Sequence, residues 1–277
     1  MQVYLNGEYV DHDHAVVPVD DRGFLFADGV YEVVRVYAGR PFMMTQHVAR
    51  MQAGLRALRI DPAAIADFED VARHLLRVND LEDAEATIYA QVTRGAAPRK
   101  HAFPTAAHPT VYVATRPYGG HPPAYMEDGV ATITIPDTRW SRCDIKSISL
   151  LPNVLANQAA HEADAFEALF VRDGVVIEGS HSNLFGVFDG ELVTFPCCNY
   201  ILAGITRALV IDIARELAIP VSETGILWDR LPVAEELFLS GTTTEIMPVT
   251  KVDGRLVGSG RPGPVTQRLQ QEYRARV

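Results

Sequence analysis

Three Asp-Gly pairs constrain the fold of this chain more than any other feature of its sequence. They are Asp173-Gly174, Asp189-Gly190 and Asp253-Gly254, and each lies between two apolar, strand-like runs. Asp-Gly in this setting is typical of a two-residue hairpin, because both central residues of a type I′ turn need a positive φ. The sequence therefore predicts antiparallel hairpins, and Ala38-Gly39 interrupts a similar β-rich run near the start of the chain.

Helical segments are mixed with these strands. The sequence predicts helices that begin at Thr45, Asp61-Pro62, Pro152, Gly204-Ile205 and Pro264, where capping residues or proline precede apolar residues at helical spacing. Because the strands and helices do not follow a strict βαβ order, we expect an α+β or mixed α/β fold.

A segment rich in proline and glycine divides the chain. Residues 116–125 contain three Pro and two Gly, which is typical of a linker. We therefore expect a smaller N-terminal α/β domain over residues 1–118, a linker over 119–125, and a larger C-terminal domain over 126–277 that carries Lys146.

Charge and composition exclude several classes of function. The chain has 25 Lys and Arg against 35 Asp and Glu, a net charge of −10, which disfavours nucleic acid or an anionic membrane as a partner. No apolar run reaches the roughly 18 residues of a membrane span. Three cysteines do not form a disulfide framework, and the first residues lack a signal-peptide pattern. We therefore expect a cytoplasmic protein.

Two residues are candidates for catalytic chemistry. Lys146 is one of three lysines, and the apolar stretch after it predicts a buried segment. Burial favours the neutral amine that Schiff-base chemistry requires, but an ordinary surface lysine is the alternative. Glu178 follows a strand and precedes Gly179. It can hold a protonated ring nitrogen, or it is a solvated turn residue.

Other segments carry groups that bind anions. The predicted helix start at Ile205 and Thr206 presents free amides and a hydroxyl, and Gly241 and Thr242 follow a strand. Both patterns are also typical of capping and turns. Arg50 can add a forked contact to a phosphate, or it lies on a solvated helix face.

A loop with Arg99 and His101 is suited to gripping a carboxylate, because arginine is always charged and histidine adds a tunable donor. Tyr31 can donate its hydroxyl to the same carboxylate. A solvated basic loop and a half-buried strand aromatic are the alternative interpretations.

His12 and His14 are the candidate metal ligands, since alternate residues of an extended chain share a face. No further Cys or His has the spacing of a tetrahedral site, so we expect a solvated turn and no metal. A metal-dependent hydrolase is the alternative from another class of function.

Together these segments resemble the D-amino acid aminotransferase branch of the fold type IV pyridoxal-phosphate (PLP) enzymes. The resemblance extends from DRGFLFADGVYEVVRVY to FLSGTTTEIMPV, and its D-branch feature is Arg99-Lys100-His101. It implies two domains with PLP between them, and transamination between a D-amino acid of the D-alanine or D-glutamate type and a 2-oxo acid. A branched-chain L-amino acid transaminase, a primary amine transaminase and an aminodeoxychorismate-type lyase of the same superfamily are alternatives.

The resemblance also implies residue roles. Lys146 is implied as the Schiff-base lysine and proton carrier, and Glu178 as the partner of the pyridine nitrogen. The phosphate ligands implied are Arg50, Ile205, Thr206 and Thr242, and the carboxylate ligands are Tyr31, Arg99 and His101.

Three further points follow from the resemblance. Arg99 and His101 are implied to reach in from a neighbouring subunit, so a homodimer is expected. Ser182 matches a serine near the cofactor. His181 stands where related enzymes often carry Ser, and Gly241 stands where a serine hydroxyl helps hold the phosphate.

Overall fold

The computed structural model describes all residues from Met1 to Val277, which fall into two compact units. Unit 1 comprises Met1–Gly120 and Ile145–Ser149, and unit 2 comprises His121–Asp144 and Leu150–Val277. Lys146 therefore belongs with unit 1, whereas the sequence placed it in the C-terminal domain. The cause is backbone pairing, because Ser147 forms a β-bridge with Val30. The domain boundaries at 118 and 126 stay a prediction.

Unit 1 is built on an antiparallel six-stranded sheet with the order β2-β1-β6-β5-β3-β4. Its strands are β1 (Gln2–Leu5), β2 (Glu8–Asp11), β3 (Gly29–Tyr37), β4 (Arg40–Pro41), β5 (Ala86–Thr93) and β6 (Thr110–Pro117). Its helices are α1 (Arg22–Phe26), α2 (Met44–Ala57) and α3 (Phe68–Val78), with 3₁₀ turns at His12–His14 and Pro62–Ile65. Alternate residues such as Val34 and Ile88 are buried against Leu55 and Leu75 of the helices, as a two-residue strand period requires.

Unit 2 is built on a mixed ten-stranded sheet with the order β12-β11-β10-β14-β15-β7-β8-β9-β13, in which β16 pairs with β15. Its strands are β7 (Val130–Pro136), β8 (Glu167–Arg172), β9 (Val175–Gly179), β10 (Asn183–Phe188), β11 (Glu191–Thr194), β12 (Val221–Glu223), β13 (Ile226–Leu227), β14 (Glu236–Gly241), β15 (Glu245–Val252) and β16 (Arg255–Leu256). Its helices are α4 (Pro123–Asp128), α5 (Leu151–Glu162), α6 (Ile205–Glu216) and α7 (Pro264–Arg274), with a 3₁₀ helix at Trp228–Val233. None of the chain's helices combines the length and apolarity that crossing a membrane requires.

The predicted hairpin turns are confirmed. Asp173, Asp189 and Asp253 have φ values of 49°, 51° and 48°, and the glycine after each of them also has a positive φ. These turns join β8 to β9, β10 to β11 and β15 to β16. Ala38-Gly39 likewise joins β3 to β4. A further hairpin at Asn6-Gly7 joins β1 to β2 and was not among the predictions.

The predicted helix starts are correct at Ile205 and Pro264, one residue late at Pro152 and wrong at two other places. Helix α2 begins at Met44, because Met43 is in the left-handed conformation, so Thr45 lies inside the first turn. Asp61 accepts a bond from the Ala63 amide and caps only a 3₁₀ turn, and α3 begins later.

The segment after Lys146 is less buried than predicted. Helix α5 begins at Leu151, one residue before Pro152. Leu151, Val154 and Leu155 are 70%, 59% and 63% exposed. These positions are three and four residues apart and share one helix face, so the apolar stretch is an open surface of this chain.

Candidate active site

The candidate residues are divided between the two units. Those of unit 1 are Tyr31, Arg50, Arg99, His101 and Lys146, and those of unit 2 are Glu178, Ser182, Ile205, Thr206, Gly241 and Thr242.

Lys146 is fixed against the first residues of β3. The Tyr31 amide donates to the Lys146 carbonyl at 3.0 Å, and the Ile148 amide donates to the Gly29 carbonyl at 3.1 Å. Lys146 Nζ lies 4.3 Å from the centroid of the Tyr31 ring. The predicted amine and the predicted carboxylate donor are therefore neighbours.

A buried cluster lies behind Tyr31 on the helical side of the sheet. Glu32 is fully buried and accepts from Arg50 Nε at 2.6 Å and Nη2 at 2.9 Å. His47 Nδ1 lies 2.7 Å from the same carboxylate. Burial raises the pKa of Glu32, but the charge of Arg50 and the hydrogen bonds outweigh it, so the pKa falls to about 2. Glu32 is thus an anion that holds the guanidinium of Arg50 on α2.

Glu32 and His47 were not identified from the sequence. A glutamate inside the apolar strand VYEVVRV is nevertheless a usable signal, because an acid is seldom fully buried unless it is paired. Burial lowers the pKa of His47, so the ring is neutral and donates from Nδ1 to Glu32.

Arg99 and His101 lie exposed on the loop between β5 and β6. The Phe26 ring lies under both, 5.2 Å from the Arg99 guanidinium and 5.5 Å from the His101 ring. Arg22 Nη1 donates to the Lys100 carbonyl at 2.6 Å. The contacts recorded for Arg99 and His101 are with this support and not with Tyr31.

The support of this loop depends on Asp28, which sequence reasoning also missed. Asp28 accepts from Arg22 Nε at 2.8 Å and from Arg94 Nε at 2.8 Å. Burial raises the pKa of Asp28, but hydrogen bonds from Arg94 and Arg22 outweigh it and lower the pKa. One carboxylate therefore ties both arginines beneath the loop.

Glu178 is buried near the end of β9 in unit 2. It accepts from Arg139 Nη1 at 2.5 Å, from Asn183 Nδ2 at 3.1 Å and from the Leu202 amide at 3.1 Å. Burial raises the pKa of Glu178 to about 7, and the ion pair with Arg139 acts in the opposite direction. Glu178 is a buried, oriented carboxylate and not a solvated turn residue.

Asn183 links Glu178 to the start of α6. A Cβ atom on Gly204 would lie 2.0 Å from Asn183 Oδ1, so only glycine fits there. Gly204 is the N-cap of α6 and makes no side-chain capping bond. The first amides of α6, including Ile205 and Thr206, are thus left to bind an anion.

Gly241 and Thr242 lie beside this helix start. Asn183 is paired in register with Ser240, and directly opposite residues of an antiparallel pair share a sheet face. The Ser240 hydroxyl is buried and has no hydrogen-bond partner. A Cβ atom on Gly241 would lie 3.7 Å from the His181 carbonyl, so the turn that carries Ser182 is adjacent.

His12 and His14 lie in an exposed 3₁₀ turn, and His12 Nδ1 is 3.2 Å from Asp13. No group of three or more His, Cys, Asp or Glu side chains in the chain is arranged to hold a metal ion.

Comparisons with known proteins show the family of this chain. The profile of the family described as "Amino-transferase class IV" matches residues 29–252. A D-alanine aminotransferase of Staphylococcus haemolyticus is 40% identical over 273 residues, covering 98% of this chain and 96% of that protein. A D-alanine aminotransferase of Bacillus licheniformis is 40% identical over 271 residues, covering 98% of this chain and 95% of that protein.

Solved structures give the same result at the level of the fold. The Escherichia coli branched-chain amino acid aminotransferase superposes with a TM-score of 0.91 at 30% identity, covering 99% of this chain and 93% of that one. The branched-chain aminotransferase of the thermophilic archaeon Thermoproteus uzoniensis with norvaline superposes with a TM-score of 0.85 at 28% identity. The match covers 99% of this chain and 93% of that one. With its fold matched over almost every residue and its sequence matched through all the candidate segments, this chain belongs to the class IV amino-transferases and is an aminotransferase of fold type IV.

Proposed function

We propose that this enzyme transfers the amino group of a D-amino acid to a 2-oxo acid, with PLP as cofactor and as a homodimer. The observation that carries the proposal is the exposed pair Arg99 and His101, held over Phe26 by Arg22. A guanidinium and an imidazole exposed on one braced loop are suited to a carboxylate. The 40% identical relatives named D-alanine aminotransferase support the D-configuration.

The chemistry of the candidate residues fits PLP. An uncapped helix start beside an unpartnered buried hydroxyl, that of Ser240, suits a phosphate group. Ile205 would hold this phosphate through its amide, Thr206 and Thr242 through hydroxyls, and Arg50 through its charge. Glu178 would face the ring nitrogen, and Lys146 would bond to the aldehyde. When bound, PLP supplies an electron-withdrawing ring that stabilises negative charge on the substrate α-carbon.

The chain's own residues then have separable tasks. Lys146 takes a proton from the substrate α-carbon through the lone pair of its amine nitrogen. Glu178 provides negative charge in a buried setting, where it acts strongly on a neighbouring cation. Tyr31, Arg99 and His101 hold the substrate carboxylate and so fix which face of the α-carbon is presented to Lys146.

A homodimer is supported by the surface of this chain. The exposed face of α5, formed by Leu151, Val154 and Leu155, is typical of a surface that another protein covers. Phe24 lies on α1, the helix that also carries Arg22 and Phe26, and it is 77% exposed. In the proposed homodimer, Arg99 and His101 would reach the substrate of the partner.

A cytoplasmic location remains part of the proposal. It is supported by the three free cysteines, of which Cys197 and Cys198 are exposed and unpaired, since exposed thiols persist in reducing compartments.

A panel of amino donors tests the proposal. D- and L-alanine, glutamate and leucine are each supplied with pyruvate or 2-oxoglutarate, and the new amino acid is quantified by chiral chromatography. We expect D-alanine or D-glutamate to be the best donor. A preference for L-leucine would support instead the branched-chain reaction named for the structural neighbours.

The cofactor has its own readout. The purified enzyme should absorb in the visible range, and borohydride treatment followed by peptide mass spectrometry should place a PLP-derived label on Lys146. A colourless enzyme that a chelator inactivates would point to the metal-dependent hydrolase.

A further inference from the structure

Glu167 is a buried acid with no lysine or arginine beside it. It is fully buried at the start of β8. Its carboxylate accepts from the His181 amide at 2.6 Å, from the Ser182 hydroxyl at 2.9 Å and from the Ser180 hydroxyl at 3.4 Å. All its hydrogen-bond partners thus come from the one turn that joins β9 to β10.

This turn is shaped around the carboxylate. A Cβ atom on Gly179 would lie 2.3 Å from Glu167 Oε1, so glycine is required where the acid approaches. Asn153 of α5 also donates to the Ser180 carbonyl at 2.7 Å. The turn is therefore fixed from two sides, and the side chain of His181 is presented from a rigid backbone.

The imidazole of His181 is oriented by the same acid. Its Nδ1 lies 3.4 Å from Glu167 Oε2, and its side chain is 45% exposed. A ring nitrogen facing a carboxylate carries the proton, which leaves the lone pair on Nε2 in the neutral ring. The arrangement is that of a histidine base backed by a buried carboxylate.

The turn that carries His181 lies close to residues proposed to serve the cofactor. Glu178 lies on β9 just before this turn, Ser182 is part of the turn, and the His181 carbonyl is 3.7 Å from the Cβ position of Gly241. The half-exposed imidazole is thus carried by a turn that lies beside the proposed cofactor residues of unit 2.

The groups around this ring come from two sides. Glu167 lies against Nδ1, and the ring of Phe166, which also contacts His121, lies 6.1 Å from the imidazole. Burial lowers the pKa of His121, and the charge of His181 adds to this effect. Glu167 acts on His121 in the opposite direction, and it is the acid in contact with the His181 ring.

The proposed reaction has a proton to remove before chemistry begins. An amino acid is an ammonium ion near neutral pH, and its nitrogen is a nucleophile only after one proton has left. Lys146 is assigned to the proton of the α-carbon, so the ammonium proton needs another acceptor. A histidine is suited to this task, because its ionisation lies near neutral pH.

We propose that His181 is this acceptor and that Glu167 is its positioning residue. The N–H bond of the substrate ammonium breaks, its electron pair stays on the substrate nitrogen, and the proton bonds to His181 Nε2. The Glu167 carboxylate stabilises the resulting imidazolium, which later gives the proton to water or to the amino group of the product. This inference rests on the proposed transamination.

The test compares His181→Gln with His14→Gln, which alters an exposed histidine of unit 1. With D-alanine, His181→Gln should lower kcat/KM about 10²-fold at pH 7, as loss of a general base does. The loss should shrink as the pH rises, because the substrate then arrives already deprotonated. His14→Gln should keep the wild-type profile.

A second readout does not depend on turnover. Diethyl pyrocarbonate labels neutral imidazoles, and peptide mass spectrometry reports the rate at each histidine. D-alanine should protect His181 and leave His14 unprotected. In Glu167→Gln the imidazole loses the carboxylate that orients it, so D-alanine should protect His181 less completely than in wild type. Should that variant not fold, His181→Gln and the labelling of the wild type decide.

The outcomes separate this inference from the proposed function. If the wild type transaminates D-amino acids but His181→Gln has the wild-type pH profile, or if D-alanine does not protect His181, the inference is wrong and the transamination stands. If the wild type transfers no amino group from any D-amino acid, the proposed function itself is wrong.

Discussion

Glu178 is a carboxylate whose charge depends on what lies beside it. Burial raises its pKa to about 7, while Arg139 at 2.5 Å favours the ionised form. Arg139 is itself held by Asp137 through Nε at 2.9 Å. A further cation placed against Glu178 would make it fully ionised, which is the condition that stabilising a protonated ring nitrogen requires.

We expect Glu178→Gln to retain the cofactor but to slow proton removal from the substrate, because an amide cannot stabilise a positive ring nitrogen by charge. Stopped-flow measurement of the half-reaction with D-alanine checks this, with exposed Glu191→Gln as control. A rate within about twofold of wild type would leave Glu178 a structural residue only.

Lys146 is positioned by backbone bonds that do not involve its side chain, so the amine can be removed without disturbing the strand. We expect Lys146→Ala to abolish transamination and borohydride labelling. Circular dichroism should be unchanged, and exposed Lys251→Ala should behave as wild type. A PLP-derived label retained by the alanine variant would contradict the assignment.

Arg99 is expected to act through its forked contact with a carboxylate. Such a contact contributes roughly 1.5–3 kcal/mol, or one to two decades in affinity. Arg99→Ala should therefore raise KM for D-alanine by that order and affect an uncharged primary amine far less.

Lys100→Ala is the matched control for Arg99→Ala, because the Lys100 contact with Arg22 is made by the backbone carbonyl. If Arg99→Ala raised KM equally for the amine and for the amino acid, Arg99 would act on the fold and not on the carboxylate.

At the scale of elements, local turn chemistry is what the sequence predicts best. A positive φ at Asp173 and Gly174 follows from two adjacent residues, and so does the start of α6 after Gly204. The start of α2 was misplaced because Met43 adopts the left-handed conformation, which its residue type does not favour. Exposure of Leu151 was missed because apolar periodicity does not distinguish a core from a surface that a partner covers.

Helix α2 is tied to β3 by the Glu32 cluster, and this tie should depend on pH. The pKa of Glu32 is about 2 in the folded chain against an ordinary value of 4.5, so the unfolded chain binds protons more readily. The stabilisation is complete above pH 4.5 and is lost as the pH falls through about 2. This shift in the pKa of Glu32 corresponds to about 3 kcal/mol in the free energy of unfolding.

Urea unfolding between pH 5 and pH 2.5 checks this expectation. The free energy of unfolding should fall less steeply with acid in Glu32→Gln than in wild type. Glu82→Gln removes an ion pair that is 60% exposed on both sides and should change little, since exposed pairs contribute about 1 kcal/mol or less. Identical acid slopes in all three proteins would contradict the role of Glu32.

At the scale of the whole molecule, the sequence predicted the individual residues of the candidate site. It did not predict the hydrogen bonds and ion pairs that hold these residues in place. Lys146, Glu178 and Thr206 stand in recognisable segments of the sequence. Their supports do not, because Arg139 lies 39 positions from Glu178 and Arg22 lies 78 from Lys100. Such pairings are set by the folded topology, and only Glu32 has a local signal, as an acid inside an apolar strand.

The central claim is that each site combines Lys146 of one copy with Arg99 of another, and hybrid dimers test it most directly. Lys146→Ala and Arg99→Ala chains with different affinity tags are co-expressed, and the doubly tagged dimer is assayed with D-alanine. In such a dimer one site receives both intact residues and the other receives neither, so activity should return to about half that of wild type. Activity no greater than the mean of the two single-variant dimers would show that both residues act within one chain, and would contradict the shared site.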